Sequence, residues 1–258
     1  MEEVVTDRFS LFSPGLQRQV LIDCYYPATH TPGNVCLLLV NDGQDLEAVG
    51  LTDLLAPLYA AGKALLVVGI YAGKQRKQEY GTARFLNSQG QGGSAALYNQ
   101  FVVQQLLPFI RQQYSGITFV TTAFAGFSLG GLSALDIVWN NPGLFNYVGV
   151  FSGALWWRSR ELGNGYNENT DRIMHRQIRE GIFQPGLKFF FECGTEDETA
   201  DRNNNGIIDS IDDTQGLIHE LEQKGYVNGQ DITYLEIPGG RHDVSTWGQA
   251  MDVLLKWL

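Results

Sequence analysis

The stretch Gly126-Phe127-Ser128-Leu129-Gly130-Gly131 sets a serine two residues from a glycine on either side. A hydroxyl in that spacing is suited to nucleophilic attack. On a sharp turn from strand into helix the serine is held in a strained conformation, and the glycines let strand and helix approach where a Cβ would clash. The amides that open the helix, Leu129 N–H first, then lie ready to receive an oxyanion. The flanks fit. Phe119 to Ala125 is β-branched and aromatic, a short buried strand, and Leu129 to Asn140 has helical spacing that stops at Asn140-Asn141-Pro142-Gly143.

A serine hydroxyl needs a base, and the base needs an acid to orient it. In strand–elbow–helix scaffolds these follow the serine as acid, then histidine, each at the C-terminal end of a strand. The chain has four histidines. His30 precedes the serine, and His175 and His219 fall within predicted helices. His242, in Pro238-Gly239-Gly240-Arg241-His242-Asp243, directly follows the last predicted strand, where the base belongs. Asp243 beside it reads as a capping residue. The acid belongs after the strand ending at Cys193, where Glu196, Asp197 and Glu198 are three carboxylates that spacing does not separate. A second oxyanion donor belongs in Asn41-Asp42-Gly43-Gln44, with the Gln44 amide favoured; without the elbow, Asp42-Gly43 reads as an ordinary turn.

A different chemistry is spaced through 201–212. Asp201, Asn203, Asn205 and Asp209 stand at positions 1, 3, 5 and 9 of a calcium loop, with Gly206 at 6, the Ile207 carbonyl at 7 and Asp212 at 12. Asp212 replaces the bidentate Glu of EF-hands and resembles the loops of dockerin modules. A structural Ca²⁺ here would stiffen the loop that begins just after Asp197, while catalysis itself calls for no cofactor. The competing reading is an Asn-rich solvated turn. Arg76, Glu79 and Tyr80 in a long polar loop, and Trp156, Trp157 and Arg158 after a strand, are candidates to line a substrate pocket for an aromatic or acidic ligand.

These residues need a scaffold. Runs at 4–12 and 17–26 read as an opening hairpin. Buried strands are expected at 35–40, 64–70, 119–125, 147–151, 187–193 and 232–237, and helices at 48–61, 94–114, 129–140, 171–180, 214–224 and 246–258, with a Pro/Gly loop at 27–34 and the long loop at 72–93. Such alternation predicts a single α/β domain: a mainly parallel sheet of about eight strands, an antiparallel N-terminal hairpin, and helices on both faces. The 258 residues, 44% hydrophobic and 18% charged, suffice for a substantial core, and the net charge of −10 argues against nucleic acid or an anionic membrane as partner. The three cysteines lie in predicted strands and read as buried free thiols. With no apolar signal core or membrane-length run, the expected location is the cytoplasm, although a trimmed signal peptide would leave the same sequence.

Taken together, Asn-Asp-Gly-Gln (41–44), Gly-Phe-Ser-Leu-Gly-Gly (126–131), Phe-Ser-Gly-Ala-Leu-Trp-Trp-Arg (151–158), Cys-Gly-Thr-Glu-Asp (193–197) and Gly-Gly-Arg-His-Asp (239–243) resemble the esterase branch of the α/β-hydrolases. That group contains enterochelin esterases, feruloyl esterases, S-formylglutathione hydrolases and mycolyltransferases, and the resemblance runs from Val35 to Trp257. It implies Ser128 as nucleophile, Asp197 as acid, His242 as base, and the Gln44 and Leu129 amides as oxyanion donors. The implied activity is hydrolysis of a small-molecule carboxylic ester through an acyl-enzyme. Acyl transfer by the same residues, or a calcium-stiffened binding module, are the alternatives. Oligomeric state is not constrained.

Overall fold

The computed structural model describes residues 2–29, 33–163 and 165–258; His30 and the centre of the Pro/Gly loop expected at 27–34 lie outside the described residues. The two N-terminal runs form β1 (Val4–Ser13) and β2 (Arg18–Pro27), an antiparallel pair. They are followed by β3 (Asn34–Asn41), β4 (Leu65–Ile70), β5 (Thr118–Phe127), β6 (Tyr147–Phe151), β7 (Lys188–Glu196) and β8 (Ile232–Arg241). The strand order is β1-β2-β4-β3-β5-β6-β7-β8. β2 meets β4 antiparallel, and every pairing from β4 to β8 is parallel. The six parallel strands therefore deliver their C-terminal ends to one edge.

Helices α1 (Leu51–Ala60) and α9 (Val244–Trp257) cover one face of the sheet, and α3 (Ala95–Gln100), α4 (Leu107–Gln113), α5 (Leu129–Asn140), α7 (Ile173–Glu180) and α8 (Asp209–Lys224) the other. The short α2 (Arg76–Glu79) and α6 (Glu168–Asp171) sit in loops. Alternation along β3 explains its unbroken apolar run: Leu37 and Leu39 enter one core, Cys36, Leu38 and Val40 the other. The α/β-hydrolase architecture expected from the sequence is thus present, with helices on both faces. No helix among the described residues is long and apolar enough to cross a membrane.

Several boundaries differ from the periodicity. The helix expected over 94–114 is continuous, but Phe101–Leu106 between α3 and α4 is a π-helical turn. Pro108, just beyond, has no N–H to return to the preceding turn, which favours a widened segment there. The loop expected at 72–93 contains α2. α8 begins at Asp209, five residues ahead of its expected start, so the last turn of the 201–212 stretch is helical. β8 runs on through Pro238-Gly239-Gly240, because at the sheet edge a proline loses no ladder bond. Cys24, Cys36 and Cys193 are buried and free.

Candidate active site

Ser128 stands between β5 and α5 with φ 53° and ψ −120°, a conformation that side-chain-bearing residues rarely adopt. The surroundings hold it there. Its N–H donates to Phe151 O (2.8 Å), and its carbonyl accepts from Gly131, Leu132 and Ala154 (3.0, 3.2 and 3.0 Å). The glycines permit the turn through close approach: a Cβ on Gly126 would stand 2.4 Å from Gly130 O, and one on Gly130 would stand 2.6 Å from Asp42 Oδ2. Leu129, the first residue of α5, has an N–H with no partner one turn back.

The turn after β3 is clamped against this elbow. Asn41 Nδ2 donates to Gly130 O (2.8 Å) and Tyr98 OH donates to Asn41 Oδ1 (2.5 Å). Asp42 is buried in a left-handed conformation at φ 59° and accepts both Arg76 Nε and Nη2 at 2.7 Å. The same guanidinium reaches Phe127 O (3.4 Å), the residue before the nucleophile. Gln44, the expected second donor, is held by its side chain: Nε2 donates to Asp42 Oδ1 (3.2 Å), and Oε1 accepts from Ala72 N–H (3.0 Å). The Asp42–Arg76 pair, read from sequence as a turn and a pocket residue, thus braces the two segments that carry the expected oxyanion donors.

Asp197 follows β7 and His242 follows β8, so both arrive at the edge that carries Ser128. Burial moves Asp197 upward from the usual carboxylate range, opposed by the Ser152 side chain and by His242. His242 is exposed at its surface and lies edge-on to Trp247, ring centroids 5.2 Å apart. Desolvation draws its pKa below the ordinary imidazole value, Asp197 raises it, Arg76 lowers it and Asp243 raises it. Among the described residues no hydrogen bond yet joins His242 to Ser128 or Asp197; such contacts tighten when bound substrate excludes water. Asp243 caps α9, accepting Ser245 and Thr246 N–H at 3.0 Å each.

Four of the pocket candidates, Trp157, Arg76, Glu79 and Tyr80, are held in structural contacts. Trp157 is fully exposure-free, packed beneath Gly81, and cannot touch substrate; Trp156, its neighbour, is 37% exposed. Arg76 is committed to Asp42, Glu79 to Arg18, and Tyr80 is buried with its OH accepting Asp42 N–H (3.3 Å). Arg158 remains: its guanidinium lies 5.8 Å from the Trp156 ring and 5.7 Å from that of Tyr166, without an ion pair among the described residues. Neighbouring signals escaped the sequence reading. Glu192 is a carboxylate inside the apolar run Phe-Phe-Phe-Glu-Cys, and Trp247 Nε1 donates to Ser152 Oγ (3.0 Å).

The 201–212 stretch fits a cation only in part. Asn203 and Asn205 amides each donate to a different oxygen of Asp212 (3.2 and 3.1 Å), and Asp201 accepts Asn205 and Gly206 N–H (3.1 and 2.9 Å). Asp209, however, accepts the Arg202 N–H (2.9 Å) and pairs with its guanidinium (3.0 Å). Arg202 also pairs with Glu168, Asp212 and Asp213. Ile207 donates its N–H to Asn205 Oδ1 (2.8 Å). No three His, Cys, Asp or Glu side chains gather as a metal site among the described residues.

Comparison with known proteins gives this geometry its setting. Curated protein sequences hold no significant match. Among solved structures, enterobactin esterase from Shigella flexneri with 2,3-dihydroxy-N-benzoyl-serine superimposes with a TM-score of 0.72 at 20% identity, over 99% of this chain and 59% of that one. The chain thus spans about three-fifths of that relative's length. Siderophore hydrolase EstA from Aspergillus nidulans aligns with a TM-score of 0.74 at 16% identity, covering 99% of this chain and 94% of that one. A ferulic acid esterase gives 0.68 at 16% identity, over 99% and 97%. At these identities the likeness shows the fold. The family model described as "Putative esterase" matches residues 13–258, nearly the whole chain, and the protein belongs to that family.

Proposed function

We propose that Ser128, His242 and Asp197 cleave a carboxylic ester through an acyl-enzyme. The strained conformation of Ser128 at the β5–α5 turn carries this reading, because a side-chain-bearing residue at φ 53° carries a cost that glycine would avoid. His242 takes the Ser128 proton as the oxygen attacks the carbonyl, and Asp197 stabilises the imidazolium. The Leu129 and Gln44 amides receive the tetrahedral oxyanion. His242 then protonates the leaving alcohol and activates the water that releases the acid. Trp156, Arg158 and Tyr166 offer aromatic faces and a cation to an aromatic, acidic part of the substrate. The 2,3-dihydroxy-N-benzoyl-serine in whose presence the Shigella flexneri enzyme was crystallised is a compound of that kind.

Rapid mixing with a p-nitrophenyl ester tests the covalent step. We expect a burst of one equivalent of p-nitrophenol, and an acyl mass increment on the peptide that contains Ser128. A linear progress curve, with label on another residue or on none, would overturn the mechanism.

We further propose that the 201–212 loop takes Ca²⁺ weakly, through Asp201, Asn203, Asn205, the Ile207 carbonyl and Asp212, with Asp209 and Arg202 as the competing pair. Calorimetric titration of chelator-treated protein is expected to give Kd on the order of 10⁻⁴–10⁻³ M, with a rise in Tm. Neither heat nor a Tm shift at millimolar Ca²⁺ removes the site.

A further inference from the structure

Strand β7 carries a charged side chain where both faces of the sheet are covered. Glu192 is 0% exposed and lies in register with Phe151 of β6 and Leu235 of β8. Side chains alternate along a strand, so Glu192 and Gly194 share a face, while Cys193 points the other way, toward Ser210 and Thr214 of α8. The Asp197 carboxylate lies over the Gly194 position beside Gly240: a Gly194 Cβ would stand 2.3 Å from Gly240 O and 2.8 Å from Asp197 Oδ1. The two carboxyl groups therefore sit about one pleat apart. All four of their oxygens are buried and without a hydrogen-bond partner among the described residues.

A third group is directed at the same place. Ser152 is buried at φ 43°, and its N–H donates to Glu192 O (2.8 Å). Its hydroxyl accepts from Trp247 Nε1 (3.0 Å), which leaves the serine proton free for a carboxyl oxygen.

We propose that Glu192 is a positioning residue for the reaction: it stays protonated behind Asp197, so that the buried pair carries one negative charge, and that charge faces His242. The inference rests on the Ser128–Asp197–His242 reading. Two carboxylates this close and this dry cannot both ionise without a large electrostatic cost. A proton on Glu192 removes the repulsion and adds a second donor beside the Ser152 hydroxyl. Burial first, and the charge of Asp197 second, push Glu192 up to about 8. Glu192 is in register with Phe151 of β6 and Leu235 of β8, Ser152 follows β6, and the charged or titratable groups that act on it are Asp197 and the adjacent Cys193. The charged groups that act on Asp197 in turn are His242, which lowers its pKa, and Asp243, which raises it. Above that pH the second carboxylate forms, the pair is driven apart, and Asp197 loses its alignment with His242.

The test compares wild type, Glu192→Leu and Glu192→Gln in kcat across pH 5–10, with Tm measured over the same range. Glu192→Leu, without a donor, is expected to lose about 10²-fold in kcat with KM nearly constant, as displacement of a catalytic group does. Glu192→Gln, whose amide donates where the acid did, recovers most of that loss at pH 7 and lacks the fall in rate above pH 8. The Tm readout has its own sign. A folded-state pKa raised above the unfolded value means that the native state holds the extra proton, so stability declines as pH climbs from about 4.5 towards 8. Wild type should lose Tm relative to Glu192→Gln across that window. Superimposed wild-type and Glu192→Gln curves in both rate and Tm would overturn the proposal. A Tm difference that persists, in a protein whose hydrolysis survives Ser128→Ala, would instead remove the catalytic reading and keep the carboxyl pair.

Discussion

Ser128→Ala is expected to lower kcat for p-nitrophenyl ester hydrolysis at least about 10³-fold while leaving KM close to that of wild type. The substitution removes only the attacking oxygen. His242, Asp197 and the Leu129 amide remain, so residual turnover passes through direct attack by water polarised in the same site. The fold should survive, since the bonds that pin the turn, Ser128 N–H to Phe151 O and Ala154 N–H to Ser128 O, are made by backbone. Alanine inherits the strained φ of 53°, and glycine would not. Ser128→Gly should therefore be more stable than Ser128→Ala by about 1 kcal/mol. The stability gain would mark the turn as strained, and the rate loss would say what the strain is for. A Ser128→Ala enzyme with undiminished kcat would mean that the ester is cut elsewhere.

Arg76→Ala should produce the largest combined effect away from the reacting atoms. Asp42 is 2% exposed, and its oxygens receive two 2.7 Å hydrogen bonds from this guanidinium. Removing Arg76 leaves a buried carboxylate with only the Gln44 amide, which costs on the order of 3 kcal/mol, the low end for a broken buried pair because Arg76 is itself about a third exposed. The turn carrying Gln44 then loosens against α5, and kcat should fall about 10²-fold, the effect of losing one oxyanion donor. Arg76→Lys restores charge but not the two-pronged geometry, so it should recover stability more than rate. A second readout separates electrostatics from geometry. Arg76 lowers the pKa of His242, and the free base must be neutral to act. Without Arg76 more of the enzyme holds a protonated His242 at a given pH, so the acid limb of kcat/KM moves to higher pH. An Arg76→Ala protein with wild-type Tm and pH profile would dismiss the clamp.

The proposed catalytic constellation is more legible in the chain than its supports. Gly126, Ser128 and Gly130 announce themselves because a tight turn restricts residue type at several positions at once, and His242 because a strand must end before a loop histidine can act. Asp42 and Arg76 look like an ordinary turn and an ordinary surface charge, since the pairing that gives them meaning spans 34 positions of chain. The exchange between Trp156 and Trp157 is of the same kind: which of two neighbours turns inward depends on Gly81, far away in sequence. Glu192 did carry a local mark, a charge within an apolar strand, which burial rules alone single out. The early start of α8 was hidden by its Asp-rich first turn, where apolar periodicity is absent although acidic side chains favour a helix N-terminus.

The buried cysteines give this molecule an internal clock. Desolvation pushes the Cys24 thiol up to about 12 and raises Cys36 and Cys193 as well, so none supplies a thiolate at neutral pH while folded. Cys24 belongs to β2 of the antiparallel hairpin, Cys36 to β3 near the centre, and Cys193 to β7, shortly before Asp197. A thiol reagent therefore reads three separate regions of one sheet, each reacting only when its own strand opens. Equal labelling rates would describe a sheet that opens as one body, and an early Cys193 would describe a catalytic edge that breathes while the rest stays shut.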